Sequence, residues 1–135
     1  MEFLHPPGWP RARGYSNGVA ARGRTLHISG MVGWDGDGRF HSDDFVAQSR
    51  QALQNIVAVL AEGGAGPQHI VRLTWYVVDR AEYLDAGKAL GVAYREVIGN
   101  HYPAMSAVQV AGLMEPRARV EIEATAMVPD ASAPD

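Results

Sequence analysis

The clearest pattern along the chain is a helical repeat of apolar residues between positions 43 and 64. Asp43 or Asp44 can cap its start, because a short polar side chain accepts hydrogen bonds from the free N–H groups of the first turn. Gly63-Gly64 is a typical end signal. Residues at spacings of three and four predict one buried helix face: Phe45, Ser49, Ala52, Leu53, Ile56, Val59 and Leu60.

A second helix is predicted over about residues 81–97. Its inner stripe consists of large apolar and aromatic residues, namely Tyr83, Leu90, Tyr94, Val97 and Ile98. Gly87 and Gly91 lie inside this helix, and a glycine in a helix interior costs about 1 kcal/mol relative to alanine. We therefore expect a neighbouring backbone to pack closely against these two glycines.

The remaining apolar segments have the pattern of β-strands. Residues 15–21 and 25–30 are predicted to form a hairpin, with Arg22-Gly23-Arg24 at its turn. Residues 70–78 form a strand that is apolar on both faces. Residues 104–110 and 119–128 are the last two strands, and Pro103 favours an extended entry into the first of them because it keeps the preceding residue out of the helical region.

The order of these elements predicts an α+β fold, a mixed sheet with two helices on one face. Because no further element remains to cover the second face of the sheet, while the strand over 70–78 is apolar there, we expect self-association. The pattern predicts a homo-oligomer and does not set its subunit number.

Composition narrows the class of protein. The chain has 135 residues, enough for one domain, with a net charge of −3, a single lysine and no cysteine. Nucleic-acid binding is not expected, because it depends on clustered Lys and Arg, and neither a membrane span nor a secretion signal is indicated. We expect a cytoplasmic protein with an N-terminal extension over 1–13, a domain over 14–128 and a flexible tail over 129–135.

The chain lacks the sequence patterns that mark several kinds of chemistry. The five histidines never form a His-x-His or i, i+4 pair, so no metal site is predicted. No glycine-rich phosphate loop is present, and no serine has the context of a hydrolase nucleophile. A metal or a nucleotide cofactor is therefore not expected.

Two carboxylates remain as candidates for chemistry. Glu121 and Glu123 share one face of the last strand, because side chains alternate along a strand. The opposite face is apolar: Val120, Ile122, Ala124 and Ala126. Facing water is one interpretation of the glutamates. If a neighbouring subunit covers them, such a carboxylate can orient a water molecule or exchange a proton, and Tyr15 and Trp34 are candidates to line the same cavity.

Five motifs in this order resemble the reactive intermediate deaminase (RidA/YjgF) family: Gly14-Tyr15-Ser16, Ile28-Ser29-Gly30, the run from Gln48 to Asn55, Tyr102-Pro103-Ala104, and Val120-Glu121-Ile122-Glu123-Ala124. The resemblance covers about residues 14–128. It implies a chorismate-mutase-like α+β fold, a homotrimer with a central barrel, and sites in the clefts between subunits. It also implies hydrolysis of enamines and imines to a keto acid and ammonia, without a metal or organic cofactor.

The resemblance also implies site residues. Glu121 matches the glutamate that positions water, Tyr15 the pocket tyrosine, and Gly30 a glycine whose backbone approaches the ligand. Met105 stands where the family has an arginine that grips the substrate carboxylate, and Ala107, where a cysteine is common, can still offer its carbonyl oxygen. Near Gly87, many members have an asparagine.

The change at position 105 leaves the substrate open. A bidentate arginine–carboxylate pair has no good substitute, so the substrate either lacks the α-carboxylate or is held by another cation, with Arg13 and Arg72 as candidates. A 2-aminomuconate-type deaminase fits a changed pocket. The alternatives are a non-catalytic trimer that binds or senses a small metabolite, and an interaction scaffold.

Overall fold

The computed structural model describes residues 1–130 of the 135. The chain forms strands β1 (Glu2–Leu4), β2 (Gly18–Ala20) and β3 (Arg24–Val32), helix α1 (Phe45–Glu62), strand β4 (Ile70–Val77), helices α2 (Arg80–Asp85) and α3 (Gly87–Val97), and strands β5 (Ala104–Gln109) and β6 (Val120–Val128). A 3-10 helix, Pro67–His69, precedes β4. The predicted tail lies outside the described residues from position 131 onwards.

The main sheet has four strands in the order β3-β6-β4-β5. β6 is antiparallel to both β3 and β4, whereas β4 and β5 run parallel. The predicted α+β class with a mixed sheet is confirmed; the trimer with its central barrel remains a prediction. Within residues 1–130, no helix combines the length and the apolar character needed to cross a membrane.

The core lies between one face of this sheet and the helices. Leu53 and Ile56 of α1 and Leu73 and Ile122 of the sheet are completely buried. The predicted first helix is confirmed: Asp44 caps it by accepting a 2.9 Å hydrogen bond from the N–H of Ala47, and Gly63 follows its last residue. Its apolar stripe thus determines which side of the sheet is covered.

The predicted hairpin between residues 15–21 and 25–30 is wrong. β2 pairs with β1, placing Val19 opposite Phe3, whereas β3 pairs with β6. Gly23 lies between β2 and β3 at φ +138°, with the carbonyl oxygen of Val128 only 1.9 Å from where its Cβ would lie. The chain therefore leaves β2 at Gly23 and enters the main sheet beside the end of β6.

The second helix is divided at Ala86 instead of running continuously over 81–97. Ala86 ends α2 with ψ near 2°, outside the helical range, and α3 begins at Gly87. The close backbone packing expected at the glycines is also wrong. A Cβ at Gly87 would meet nothing within 4 Å, and one at Gly91 would meet first the Nη1 of Arg95, at 3.4 Å.

The second face of β4 is polar. A register shift between Ile70 and Arg72 turns Ile70 into the core, where it is completely buried. The following residues alternate normally, so Arg72, Thr74 and Tyr76 occupy the face away from the helices. The expectation that residues 70–78 are apolar on both faces is therefore wrong, and self-association is left without this support.

Candidate active site

A large cavity lies between β5, helices α2 and α3, and the segment before β2. Its volume is about 940 Å³. Aromatic and apolar side chains make up much of its wall, namely Tyr15, Trp75, Tyr83, Leu84, Leu90, Tyr94, Tyr102 and Met105. Gly87 and Gly91 also line it, so their missing side chains widen the cavity on the side of α3.

The segment around Pro103 forms one wall and is held from two sides. The ring of Tyr94 stacks on that of Tyr102 with centroids 5.5 Å apart, and the Tyr94 hydroxyl donates a 2.6 Å hydrogen bond to the carbonyl oxygen of His101. Burial raises the pKa of Tyr94 well above its usual range. The phenol therefore stays protonated and keeps donating, which fixes the start of β5.

Tyr15 reaches the cavity because Ser16 fastens its segment to the start of β5. The N–H of Ser16 donates to the carbonyl oxygen of Pro103 at 3.0 Å, and its hydroxyl donates to that of Tyr102 at 2.5 Å. Met105 and Ala107 face the same cavity from β5, where they pair in register with Leu73 and Trp75 of the core face. Tyr15, Met105 and Ala107 are thus brought together.

Gly30 and Glu121 form a second group on the other face of the sheet. Glu121 lies opposite Tyr76 in the register of β6 with β4. Gly30 falls in the register shift of β3 between Ile28 and Met31, and a Cβ there would lie 2.3 Å from the Oε2 of Glu121. Only a glycine leaves room for this carboxylate beside the backbone.

Tyr76 belongs to the same group, although it is not among the site residues predicted from the sequence. Its hydroxyl donates a 2.7 Å hydrogen bond to the Oε1 of Glu123. This bond, followed by desolvation and the charges of Glu123 and Glu121, raises the pKa of Tyr76. The phenol is therefore a neutral hydrogen-bond donor at physiological pH. Its position two residues beyond Thr74 on the polar face was the available signal.

The two groups lie on opposite sides of the sheet of one chain. Arg13 lines the large cavity, whereas Arg72 and Glu123 line a smaller pocket of about 410 Å³ on the other face. Ser106 of β5 connects the two regions, because it borders the large cavity and accepts a 3.4 Å hydrogen bond from Arg72. Trp34 packs on Phe40 with ring centroids 5.8 Å apart and does not line either space.

The described residues offer no obvious metal site. Over positions 1–130, no three side chains of His, Cys, Asp or Glu lie together in a way that could hold an ion. The groups available for chemistry are the carboxylates of Glu121 and Glu123, the phenols and the arginines. This set can transfer protons, orient water and bind anions.

The fold is that of a family of small α+β proteins. A family model described as endoribonuclease L-PSP matches residues 9–128. The chain belongs to this family, which is the RidA/YjgF family that its motifs resemble.

Three known members are each about one third identical in sequence to this chain. The human protein 2-iminobutanoate/2-iminopropanoate deaminase is 31% identical over 105 residues, covering 77% of this chain and 73% of the relative. Protein DfrA of Myxococcus xanthus is 32% identical over 92% of this chain and 93% of its own length. The crystal structure of the Rid family protein YyfB of Yersinia pestis superposes with a TM-score of 0.81 at 34% identity, covering 94% of this chain and 98% of YyfB.

Proposed function

We propose that the protein is a cytoplasmic, homotrimeric hydrolase that converts an enamine or imine to a carbonyl compound and ammonia. Relatives from human, goat and mouse, 31–35% identical to it, are named 2-iminobutanoate/2-iminopropanoate deaminases. The observation that carries the proposal is the Glu121 carboxylate, which lies against Gly30 with no Cβ between them and has the neutral phenol of Tyr76 on the facing strand. A carboxylate so placed can hold a water molecule.

In the proposed reaction, water attacks the imine carbon while Glu121 accepts its proton. The C–O bond forms as the C=N double bond becomes single, and Glu121 passes the proton from water to the nitrogen, which gives a carbinolamine. Glu121 then takes the proton of the carbinolamine hydroxyl and delivers it to the nitrogen, so that the C–N bond breaks and ammonia leaves as the carbonyl forms. An enamine is first protonated on its β-carbon and loses a proton from its nitrogen, which gives the imine. Every step uses only water and proton transfers.

A complete site requires more than one chain in this proposal. Tyr15, Met105 and Ala107 lie in the large cavity, while Gly30 and Glu121 lie on the opposite face of the sheet. In a homotrimer with its sites between subunits, the cavity of one subunit would face the Glu121 side of the next. The proposal thus accounts for both groups and for a polar, half-buried sheet face.

The reaction can be tested by generating imines from amino acids with an amino-acid oxidase and trapping them with semicarbazide. We expect the protein to lower the yield of semicarbazone, because hydrolysis competes with trapping. Acidic, aromatic and neutral imines should all be offered. If the yield of semicarbazone is unchanged with all of them, the proposed reaction is wrong.

A mutation of Gly30 tests the placement of Glu121 without removing the carboxylate. In Gly30→Ala, the new methyl group forces the Glu121 side chain away from the Gly30 backbone. A shift of about 1 Å in a catalytic group can reduce a rate about a hundredfold, and we expect a loss of this order in kcat. Gly36→Ala is the matched control, since a Cβ there meets nothing within 4 Å. Equal rates for the two variants would contradict this placement.

Met105 stands where the family has the arginine that binds the substrate carboxylate, which favours a substrate other than the usual 2-aminoacrylate. In Met105→Arg, we expect turnover of 2-aminoacrylate to rise about 10- to 100-fold, the effect of one added hydrogen bond to a charged group. The rise should appear mainly as a lower KM. Met105→Gln has a similar length without the charge and serves as the control. If the arginine variant gains no more than the glutamine variant, the cation is not what limits this substrate.

The same substitution favours one other candidate function. A pocket without the carboxylate-gripping arginine also suits a trimer that binds or senses a small metabolite without turnover. Tight binding of a ligand together with no acceleration of any imine in the trapping assay would support this second function. Binding of RNA is not favoured, because the net charge is −3 and the chain has one lysine.

A further inference from the structure

The large cavity is lined by positive charges, although much of its wall is aromatic or apolar. Three arginines line it, Arg11, Arg13 and Arg95, and its lining includes no aspartate or glutamate. Among residues 1–130, none of these three side chains forms an ion pair; the four ion pairs there involve His41, Arg50, Arg117 and Arg119. Unpaired cations around one concave space raise the local concentration of anions. The cavity therefore favours an anionic ligand.

The rest of the wall favours an aromatic or conjugated ligand. Tyr15, Tyr83 and Tyr102 present ring surfaces, and Met105 adds a flexible thioether, which packs well against aromatic rings. The volume of about 940 Å³ lies at the upper end of the range for small-molecule sites, about 300–1,000 Å³. A three- or four-carbon imino acid would leave most of this space unfilled.

Arg95 is the best placed of the three arginines to hold a carboxylate. It lies on α3, which is packed against the core through Leu90 and Tyr94, whereas Arg11 and Arg13 lie on a segment without regular structure. Its Nη1 lies 3.4 Å from where a Cβ of Gly91 would be. The side chain thus folds back over Gly91, in the direction that helical side chains take, and its guanidinium reaches the cavity wall.

We propose that this cavity binds the carboxylate of an aromatic or conjugated imino acid, with Arg95 as its anchor in place of an arginine at position 105. The unsaturated part of the ligand lies among the tyrosines and Met105. This inference rests on the proposed function for its site and names the substrate class. Arg95 is a specificity-determining residue in this arrangement, because it selects acids long enough to reach from Met105 to α3.

Calorimetric titration of the intact protein with stable keto acids tests the inference without turnover. Phenylpyruvate, an aromatic keto acid, is expected to bind at least about tenfold more tightly than pyruvate, because its ring adds buried apolar area. 4-Phenyl-2-butanone, which keeps the ring and lacks the carboxylate, should bind at least about tenfold more weakly than phenylpyruvate. Equal Kd values for phenylpyruvate and either comparison compound, or no binding of phenylpyruvate, would overturn the proposal.

Variants of α3 test the anchor itself. Arg95→Gln should raise the Kd of phenylpyruvate about 10- to 100-fold and leave that of 4-phenyl-2-butanone unchanged. Arg95→Lys keeps the charge without the planar guanidinium. Its Kd for phenylpyruvate should lie between those of the parent chain and Arg95→Gln. Lys88→Gln removes a charge from the same helix outside the cavity and should have no effect. An unchanged Kd in Arg95→Gln, with its unfolding temperature preserved, excludes Arg95 as the anchor.

The two proposals can fail separately. Tight, Arg95-dependent binding of phenylpyruvate without imine hydrolysis would retain this inference and reject the reaction. Hydrolysis of aromatic imines at equal rates in the parent chain and in Arg95→Gln would retain the reaction and reject the anchor.

Discussion

The Glu121→Gln variant is expected to hydrolyse imines about 10²- to 10⁴-fold more slowly than the parent chain, the usual contribution of a positioned general base. Glutamine has nearly the same size and can still accept a hydrogen bond from water, but it cannot take the proton. The loss should therefore appear in kcat more than in KM. Steady-state rates from the semicarbazide competition assay measure it directly.

Glu123→Gln is the matched control for this prediction. Glu123 lies on the same face of β6, two residues further along, and its Oε1 accepts the hydrogen bond from Tyr76. Its amide can still accept that bond, so we expect a loss of less than about tenfold, or 1.4 kcal/mol in the barrier. Light scattering should give the same molecular mass for both variants. A larger loss in Glu123→Gln than in Glu121→Gln would transfer the proposed role to Glu123.

The local elements could be predicted because their signals are local. Helix α1 has a capping residue, Asp44, a regular apolar stripe and a glycine at its end, and all three act within one or two turns. The pairing of β2 depends instead on residues 2–4, about 16 positions away. Nothing in the pattern of residues 15–30 distinguishes that partner from the adjacent strand, so the pattern alone predicts a short turn.

One register shift in β4 is enough to make a prediction from the alternation of side chains wrong. Strict alternation from Ile70 assigns Tyr76 to the same face as Ile70. The register shift between Ile70 and Arg72 places Ile70 in the core and leaves Tyr76 beside the glutamates. Alternation did predict the shared face of Glu121 and Glu123, because β6 pairs with β4 without interruption over these residues. The candidate site was therefore predictable from β6 and not from β4.

The glycines of α3 illustrate a different limit of prediction from the sequence. Gly87 and Gly91 lower helix propensity, which predicts a compensating contact with a neighbouring backbone. The structure places both at a cavity instead. In the single chain, no packing contact offsets their cost in helix propensity. Whether a glycine makes room for a backbone or for a ligand depends on what lies opposite, and that is set by the path of residues 11–16. The width of the cavity follows from this path.

Replacement of Gln48 by leucine is expected to lower the free energy of unfolding by about 3 kcal/mol, although the side chain keeps its volume. Gln48 is 1% exposed and pairs with three backbone groups. Its Nε2 donates to the carbonyl oxygens of Ser42 and Arg117 at 3.0 and 3.2 Å, and its Oε1 accepts from the N–H of Arg119 at 2.8 Å. Each buried polar group left unpaired costs about 1–3 kcal/mol.

This loss should also reach the candidate site, because Gln48 fixes the residues that enter β6 immediately before Glu121. Gln51→Leu is the control: Gln51 lies on the same helix and bonds only to Asn55 within it, so we expect a change below about 0.5 kcal/mol. Urea unfolding at one fixed protein concentration measures both variants, since association would otherwise shift the midpoints. Equal stability of the two variants would mean that the loop before β6 finds other partners, and the position of Glu121 would then not depend on α1.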